Sequence, residues 1–283
     1  MKQFLFNTFS DKKDFKIGAI DRFEFEIPSL RISLISNCNE KCFYCHNEGI
    51  SSKMPSVIQT GDIINAIYSV KDYGLRKVKF TGGEPLLFKD LKNLLYSVKH
   101  VGDMDIFITT NGALIKKRIK DLSPNIISKI SVSLDTLSEE KYKFITDKSL
   151  LNDVLAGLEL LGKNGYKVEI DNLLLKGLNT DKQSLKNIIN YCIKNGFDLQ
   201  FIELSDKTTA GVYDKYYVDP VKTLRKIGLD FNTEKLNDRK FFKINGIKVT
   251  LCRSVKNLRE SSAGRCSGLR LLPNGYLKDF FYE

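Results

Sequence analysis

From residue 30 the sequence reads LRISLISNCNEKCFYCHNEG, which takes it from Leu30 to Gly49. The apolar run at residues 30–35 predicts a β-strand. Three cysteines follow it closely, at Cys38, Cys42 and Cys45, and the loop supplies no fourth. A trio of thiolates with this spacing suits an iron-sulfur cluster in which one iron has no protein ligand. Such an iron is free to bind and activate another molecule.

A zinc site is the weaker interpretation of the same cysteines. Structural zinc is bound by four closed ligands, usually as two separated pairs of Cys or His. The chain has two histidines, His46 and His100, and His46 directly follows Cys45. We favour a polar loop role for His46 over ligation, and a disulfide within the trio is less favoured than zinc.

The composition is that of an ordinary globular chain. Its 283 residues are 42% hydrophobic and 28% charged, which is enough for one large domain or a barrel with a small appendage. No apolar run approaches the length of a membrane span, and the N-terminus carries no cleavable signal pattern. Six cysteines, three of them clustered, suit a reducing compartment. We therefore expect a cytoplasmic protein.

The net charge of +11 is concentrated at one end. Residues 206–283 hold 16 Lys or Arg against 9 Asp or Glu, which is +7 of the total. One interpretation is a lysine-rich solvated surface. The other is a field that draws an anionic substrate towards the site. No nucleic-acid-binding signature is present, so nucleic acid is not an expected partner.

Between residues 29 and 205, short apolar runs alternate with longer amphipathic stretches. Strands are predicted at residues 30–35, 77–80, 105–109, 129–133, 168–174 and 199–202. Helices are predicted at residues 62–73, 91–100, 113–120, 151–164 and 182–195, the last opened by a capping box at Thr180 and Gln183. About six βα units predict an α/β fold, a partial (βα)6 barrel like a TIM barrel, with its chemistry at the strand ends.

After residue 205 the pattern changes. A short helix is predicted at residues 218–227, and a strand at 247–251 after the turn Asn245-Gly246. Runs at residues 269–272 and 276–280 flank Pro273-Asn274-Gly275, which favours a β-hairpin. We therefore divide the chain into an N-terminal extension at 1–28, the barrel at 29–205, and a small α+β cap at 206–283 on the open, substrate side of the barrel.

The cysteine spacing, with Tyr44 before the last cysteine, resembles the signature of the radical S-adenosylmethionine (SAM) superfamily. The segments Asp21-Arg22-Phe23 and Leu30-Arg31-Ile32-Ser33 resemble one branch of it, the GTP 3',8-cyclases of molybdenum-cofactor biosynthesis. Further motifs of that branch follow in family order: Thr81-Gly82-Gly83-Glu84-Pro85-Leu86, Thr109-Thr110-Asn111-Gly112, Val132-Ser133-Leu134-Asp135-Thr136-Leu137, Lys176-Gly177-Leu178-Asn179 and Phe201-Ile202-Glu203.

This resemblance implies an enzyme that cleaves SAM at a [4Fe-4S] cluster to a 5'-deoxyadenosyl radical. It also implies a reducing electron donor such as flavodoxin or ferredoxin. Cys38, Cys42 and Cys45 would be the cluster ligands. In the cyclases the Arg matching Arg31 contacts substrate phosphate, and Arg270 is a second candidate for that role. The positions that match SAM contacts are Tyr44, Gly82, Gly83, Glu84, Thr110, Asn111, Ser133 and Asp135.

The C-terminus departs from that branch. Aligned on Cys266, two further cluster ligands of the cyclases would fall at Ala263 and Phe280, so one cysteine of three remains. A rearranged second cluster on Cys252 and Cys266 stays open. Asp171 stands where the branch usually has Asn.

These observations predict a radical SAM enzyme that acts on a small anionic, nucleotide-like substrate. A peptide maturase and a true GTP 3',8-cyclase are the alternative enzymes. A metal-stabilised binding protein without turnover is the alternative from another class. No membrane partner is expected.

Overall fold

The computed structural model describes residues 27–45, 57–206, 208, 211–231, 241–253 and 268–279. Its strands form one ten-stranded sheet, which contains the six parallel strands of the predicted barrel, each paired with the next along the chain. These six are β1 (Ser29–Ser33), β2 (Lys77–Thr81), β3 (Asp105–Thr110), β4 (Lys129–Ser133), β5 (Val168–Leu173) and β6 (Asp198–Ile202). Each predicted strand of the barrel is present, within one or two residues of its expected bounds.

Helices connect these strands in chain order. They are α1 (Thr60–Lys71), α2 (Leu91–Val101), α3 (Ile115–Arg118), α4 (Glu139–Thr146), α5 (Leu151–Lys163) and α6 (Lys182–Asn195). The capping box predicted at Thr180 is wrong. Asp181 is the N-cap of α6, and its carboxylate accepts a hydrogen bond of 2.9 Å from the backbone N–H of Ser184.

Helix α4 was not predicted from the sequence. Its eight residues bury only three side chains, which is too short a stretch for a helical period to emerge. Two local signals mark its ends. The Ser138 hydroxyl accepts a hydrogen bond from the backbone N–H of Lys141, and Asp147 ends the helix in the left-handed conformation at φ 55°.

Alternate residues of each parallel strand face opposite sides of the sheet. Apolar residues such as Leu30 and Phe80, both fully buried, pack against the helices in the main core. The residues between them, including Arg31, Lys79 and Asp171, line the other side. Burial raises the pKa of Asp171 on β5, and Lys79 on β2 lies close enough for its charge to oppose that rise, although β3 and β4 separate the two strands. The sheet therefore curves round an inner face, as the predicted partial barrel requires.

The described strands after residue 205 extend this same sheet at both edges. At one edge β8 (Ile247–Cys252) runs parallel to β6, and β7 (Phe241–Ile244) pairs with it through a turn at residues 245 and 246, both with positive φ. At the other edge β9 (Leu269–Leu271) runs parallel to β1, and β10 (Leu277–Asp279) forms the expected hairpin with it. The domain division at residue 205 stays a prediction.

Two short helices, α7 (Val212–Tyr216) and α8 (Pro220–Arg225), precede these strands. Helix α8 lies within the predicted stretch, whereas no helix was predicted at the position of α7. Among the described helices, none has both the length and the apolar character needed to cross a membrane.

Candidate active site

The predicted cofactor residues lie on loops that follow four neighbouring strands. The cysteines follow β1, Gly82 to Glu84 follow β2, Asn111 follows β3 and Asp135 follows β4. Because these strands are parallel and adjacent, their carboxyl ends bring the four loops to the same end of the sheet.

The two glycines allow close contact between the first two of these loops. The backbone N–H of Gly83 donates to the carbonyl of Ile35 at 2.6 Å, and that of Glu84 donates to the carbonyl of Asn37 at 2.9 Å. A Cβ on Gly82 would lie 2.5 Å from the Ile35 oxygen, and one on Gly83 would lie 2.1 Å from the Asn37 oxygen. Gly82 also has a φ of 137°, which side chains disfavour. The start of the cysteine loop therefore depends on both glycines.

Glu84 ties the β2 loop to the β3 loop. Its buried carboxylate accepts hydrogen bonds from the Thr110 hydroxyl at 2.6 Å, from the Asn111 N–H at 2.8 Å and from the Leu86 N–H at 2.9 Å. Burial raises the pKa of Glu84 to about 7, although these donors favour the charged form. Three of its acceptor positions are thus taken by the protein itself, so the residue orients the loops whatever else it contacts.

Asn111 extends this connection to the cysteine loop. Its side-chain Nδ2 donates to Asn39 Oδ1 at 2.9 Å and lies 3.7 Å from the sulfur of Cys38. Its Oδ1 accepts from the Ala113 N–H at 3.1 Å, which fixes the orientation of the amide. The third loop thus reaches the first cysteine.

Asp135 holds the other end of the cysteine loop. Its Oδ2 accepts a hydrogen bond of 2.5 Å from the Tyr44 hydroxyl, and its Oδ1 accepts one of 2.8 Å from the Leu173 N–H. Burial raises the pKa of Asp135 to about 6 and, with this carboxylate beside it, raises the pKa of Tyr44 well above its usual value. Ser133, two residues earlier, lies on the inner face in register with Asp171.

Helix α4 supports the cysteine loop from outside the barrel. The backbone N–H groups of Lys41 and Phe43 donate to the carbonyls of Thr146 and Ile145 at 2.9 and 3.1 Å. The Tyr142 hydroxyl also donates to the buried carboxylate of Glu40. Sequence reasoning missed this support because it missed the helix. Ser138 followed by two glutamates was the signal that could have located the helix start.

The donor set fits an iron-sulfur cluster. Cys38 has an exposed surface and Cys42 is half-buried. Desolvation raises the pKa of the Cys38 thiol to about 11, and desolvation together with the nearby Glu40 and Asp135 carboxylates raises that of Cys42 further. The charge of Cys45 also contributes to the raised pKa of both thiols, so the three cysteines are neighbours. Within the described residues, no three His, Cys, Asp or Glu side chains are already gathered around a single metal ion. In an iron-sulfur cluster each thiolate binds a different iron, so the ligands need not surround a single point.

The two candidate substrate arginines are adjacent. Strand β9 pairs with β1 so that Arg270 lies in register with Arg31, and Lys79 of β2 is the register partner of Arg31 on its other side. Three cations therefore form a row across three parallel strands on the inner face, and Arg270 is only 5% exposed. Lys79 was not predicted, although it stands two residues before the end of β2, on the strand face opposite the buried Phe80.

Carboxylates occupy the opposite part of the inner face. Glu169 Oε1 accepts from Lys129 Nζ at 2.7 Å, and Asp171 Oδ1 accepts from Gln200 Nε2 at 2.9 Å. Burial raises the pKa of Asp171 to about 6. The inner face is thus divided between a cationic row on β9, β1 and β2 and paired carboxylates on β5.

The remaining cysteine predictions are not tested. Cys252 is exposed at the end of β8, where its carbonyl accepts from the Glu203 N–H at 2.9 Å. Cys266, the aligned positions Ala263 and Phe280, and His46 lie outside the described residues.

Comparison with known proteins identifies the class of enzyme. Residues 32–192 match the Radical SAM superfamily. The chain belongs to this superfamily, whose enzymes use SAM together with a [4Fe-4S] cluster. The predicted superfamily, the enzyme class and the cofactors are thereby confirmed.

Relatives indicate the branch. A GTP 3',8-cyclase of Clostridium perfringens is 32% identical over 268 residues, which cover 91% of this chain and 81% of the cyclase. A probable GTP 3',8-cyclase of Methanococcus maripaludis is 33% identical over 260 residues, covering 91% of this chain and 86% of that protein. The chain is similar to this branch over most of its length.

Solved structures confirm the partial-barrel fold. Streptococcus suis SuiB bound to S-adenosylmethionine superposes with a TM-score of 0.67 at 18% identity, over 89% of this chain and 60% of SuiB. The chain thus spans less than two thirds of SuiB. A radical SAM methyltransferase from Sphaerobacter thermophilus superposes with a TM-score of 0.60 at 14% identity, over 87% of this chain and 69% of that protein.

Proposed function

We propose that this enzyme cleaves SAM at a [4Fe-4S] cluster held by Cys38, Cys42 and Cys45, and starts a radical reaction on a small anionic, nucleotide-like substrate. When bound, the cluster and SAM supply a 5'-deoxyadenosyl radical. The residues of this chain bind, orient and shield the reactants. The substrate class is supported by one observation above all, the row of Arg270, Arg31 and Lys79.

The cofactor part of the proposal is supported by the connected loops. Tyr44, Gly82, Gly83, Glu84, Thr110, Asn111, Ser133 and Asp135 remain the candidate SAM residues. Glu84 and Asp135 are largely engaged by protein donors, so we assign them mainly to positioning. Backbone groups at the glycines, and the side chains of Asn111 and Ser133, are then the better candidates for direct SAM contacts. Expected partners are the substrate and a reducing electron donor.

The substrate part of the proposal follows from the spacing of the cations. Neighbouring strands lie about 4.8 Å apart, so a row over three strands spans roughly 10 Å. This suits a chain of two or three phosphates, and a guanidinium fork binds phosphate oxygens in pairs. GTP is the first substrate to test, because the relatives that cover 91% of this chain are GTP 3',8-cyclases.

The cluster assignment is tested with Cys42→Ala. Removing one of three thiolates opens a second iron, so the variant should lose both its brown colour and SAM cleavage after anaerobic reconstitution. Cys192→Ala, in the buried face of α6, is the matched control and should retain both. SAM cleavage by Cys42→Ala would refute the assignment.

The substrate assignment is tested by calorimetry of GTP binding to the SAM-loaded protein. Arg31→Lys and Arg270→Lys keep the charge but lose the planar fork, so each should weaken binding by about tenfold or more. Arg225→Lys, at an exposed position on α8, is the control and should bind like the wild type. Binding of a peptide but of no nucleotide would favour a maturase instead.

A further inference from the structure

Three aromatic rings pack together beside the cysteine loop, where Phe144 is exposed and Phe43 and Tyr216 are half-buried. We call the rings of Phe43, Phe144 and Tyr216 the aromatic patch. Phe43 lies 5.7 Å from Phe144 and 4.7 Å from Tyr216 between ring centroids. Phe144 is 56% exposed, the largest value among the exposed large hydrophobic side chains of the described residues. An apolar patch of this kind marks a site of interaction.

The patch is directly connected to the cluster ligands. Phe43 stands between Cys42 and Cys45 in the sequence. Its neighbour Tyr44 is turned to Asp135 at the strand ends, whereas Phe43 packs against α4 and α7. Two consecutive residues of the loop thus have different partners: Tyr44 contacts Asp135 at the strand ends, and Phe43 contacts the two helices.

Positive charge surrounds the patch. Its rings are carried by residues 41–44, 143–148 and 212–217, and the backbone N–H of Lys176 donates to the Tyr216 carbonyl at 2.8 Å. The ammonium group of Lys215 lies 5.1 Å from the Tyr216 ring. Three carboxylates are also exposed there: Asp147, Asp214 and Glu140, which lies one helical turn before Phe144 on α4. Five lysines lie on or beside these segments. Lys148 is half-buried, and the exposed ones are Lys41, Lys143, Lys176 and Lys215.

Five lysines against three carboxylates leave a net charge of +2 around an apolar centre. An apolar centre with a charged rim is typical of a docking site for a protein of the opposite charge. We propose that the aromatic patch and its lysines form the docking surface for an acidic one-electron carrier protein, either a flavin or an iron-sulfur protein. This inference rests on the proposed function, because a radical SAM cluster needs a donor.

The electron count fits one carrier per SAM molecule cleaved. A carrier such as flavodoxin hydroquinone gives one electron to the oxidised cluster and becomes a semiquinone. A cluster held by Cys38, Cys42 and Cys45 would take up that electron and supply it to SAM for cleavage of the carbon-sulfur bond. Docking at Phe43 brings the carrier within one residue of Cys42, which keeps the transfer path short.

The experiment uses reconstituted full-length protein, with flavodoxin hydroquinone and a reduced acidic ferredoxin as probes. The test variants are Phe144→Ala and the double variant Lys143→Glu with Lys215→Glu. The matched controls are Tyr96→Ala, at a ring 46% exposed on α2, and the double variant Lys92→Glu with Lys186→Glu on exposed faces of α2 and α6. Affinity for each carrier is measured at low and high salt, and SAM cleavage is driven either by the carrier or by dithionite.

Each test variant should lose about tenfold in affinity for at least one carrier and in carrier-driven cleavage, with weaker salt dependence in the lysine variant. Dithionite-driven cleavage and both controls should match the wild type. Unchanged carrier affinity in the test variants, equal losses in the controls, or no binding of either carrier to the wild type would overturn the inference. Failure of the proposed function appears separately, as absence of dithionite-driven cleavage in the wild type.

Discussion

The backbone contact at Gly83 leaves no room for a side chain, so the variant Gly83→Ala tests whether this contact stabilises the cysteine loop. A Cβ there would lie 2.1 Å from the Asn37 oxygen, 2.4 Å from its carbonyl carbon and 2.5 Å from the Ser36 oxygen. Carbon and oxygen normally approach to roughly 3.3 Å, so one backbone must move by about 1 Å. Since all three obstacles are backbone atoms, no rotamer change relieves them. Overpacking of this kind costs about 2–4 kcal/mol.

The steric strain would displace the segment that leads into Cys38. We expect a melting temperature lower by roughly 5–10 °C, and iron content after anaerobic reconstitution well below that of the wild type. Gly61→Ala is the control, because a Cβ at this helical position has no atom within 4 Å. It should leave the iron content unchanged and raise stability by about 0.5–1 kcal/mol.

Full iron content and an unchanged melting temperature in Gly83→Ala would refute this reasoning. They would mean that the two loops are not in contact in the folded protein. A loss of stability with normal iron content would show that the contact exists but does not position the cysteine loop.

Three further predictions concern charged groups. Burial raises the folded-state pKa of Asp171 from 3.8 to about 6, so its contribution to stability is complete below pH 3.8 and is lost as the pH rises towards 6. Asp171→Asn should therefore gain about 2–3 kcal/mol over the wild type above pH 6 and almost nothing below pH 4, measured by denaturant unfolding. Tyr142→Phe should lose about 1–3 kcal/mol in the same assay, because the buried Glu40 carboxylate loses the Tyr142 hydroxyl as a donor. Lys79→Gln should weaken GTP binding by about tenfold with a smaller salt dependence, and equal binding in calorimetry would remove Lys79 from the substrate site.

The barrel was predictable because its signals are local and repeated. Each parallel strand carries an apolar run, and residues 129–133 and 182–195 have the predicted bounds without any shift. Glycines at helix ends, such as Gly196 at φ 69°, mark the boundaries in the sequence itself. The order of strands then follows from the alternation of strand and helix.

Other features depend on contacts that no local pattern records. Glu84 has the same appearance in the sequence whether it faces SAM or three donors of its own protein. Helix α4 is short, and its importance comes from the cysteine loop that it touches. Lys79 became a site candidate only when strand pairing placed it beside Arg31. Long-range pairing is the information that single-sequence reasoning lacks.

The pairing of β1 with β9 has a consequence for synthesis on the ribosome. Arg270 follows Arg31 by 239 residues, yet the two lie in register on adjacent strands. Strand β1 emerges early, and one of its edges stays unpaired until β9 has been translated. At about 5–20 residues per second, that delay is on the order of 10–50 s. Exposed strand edges pair readily with other chains, so chaperone protection during this interval would matter more than for a chain with neighbouring strands adjacent in sequence.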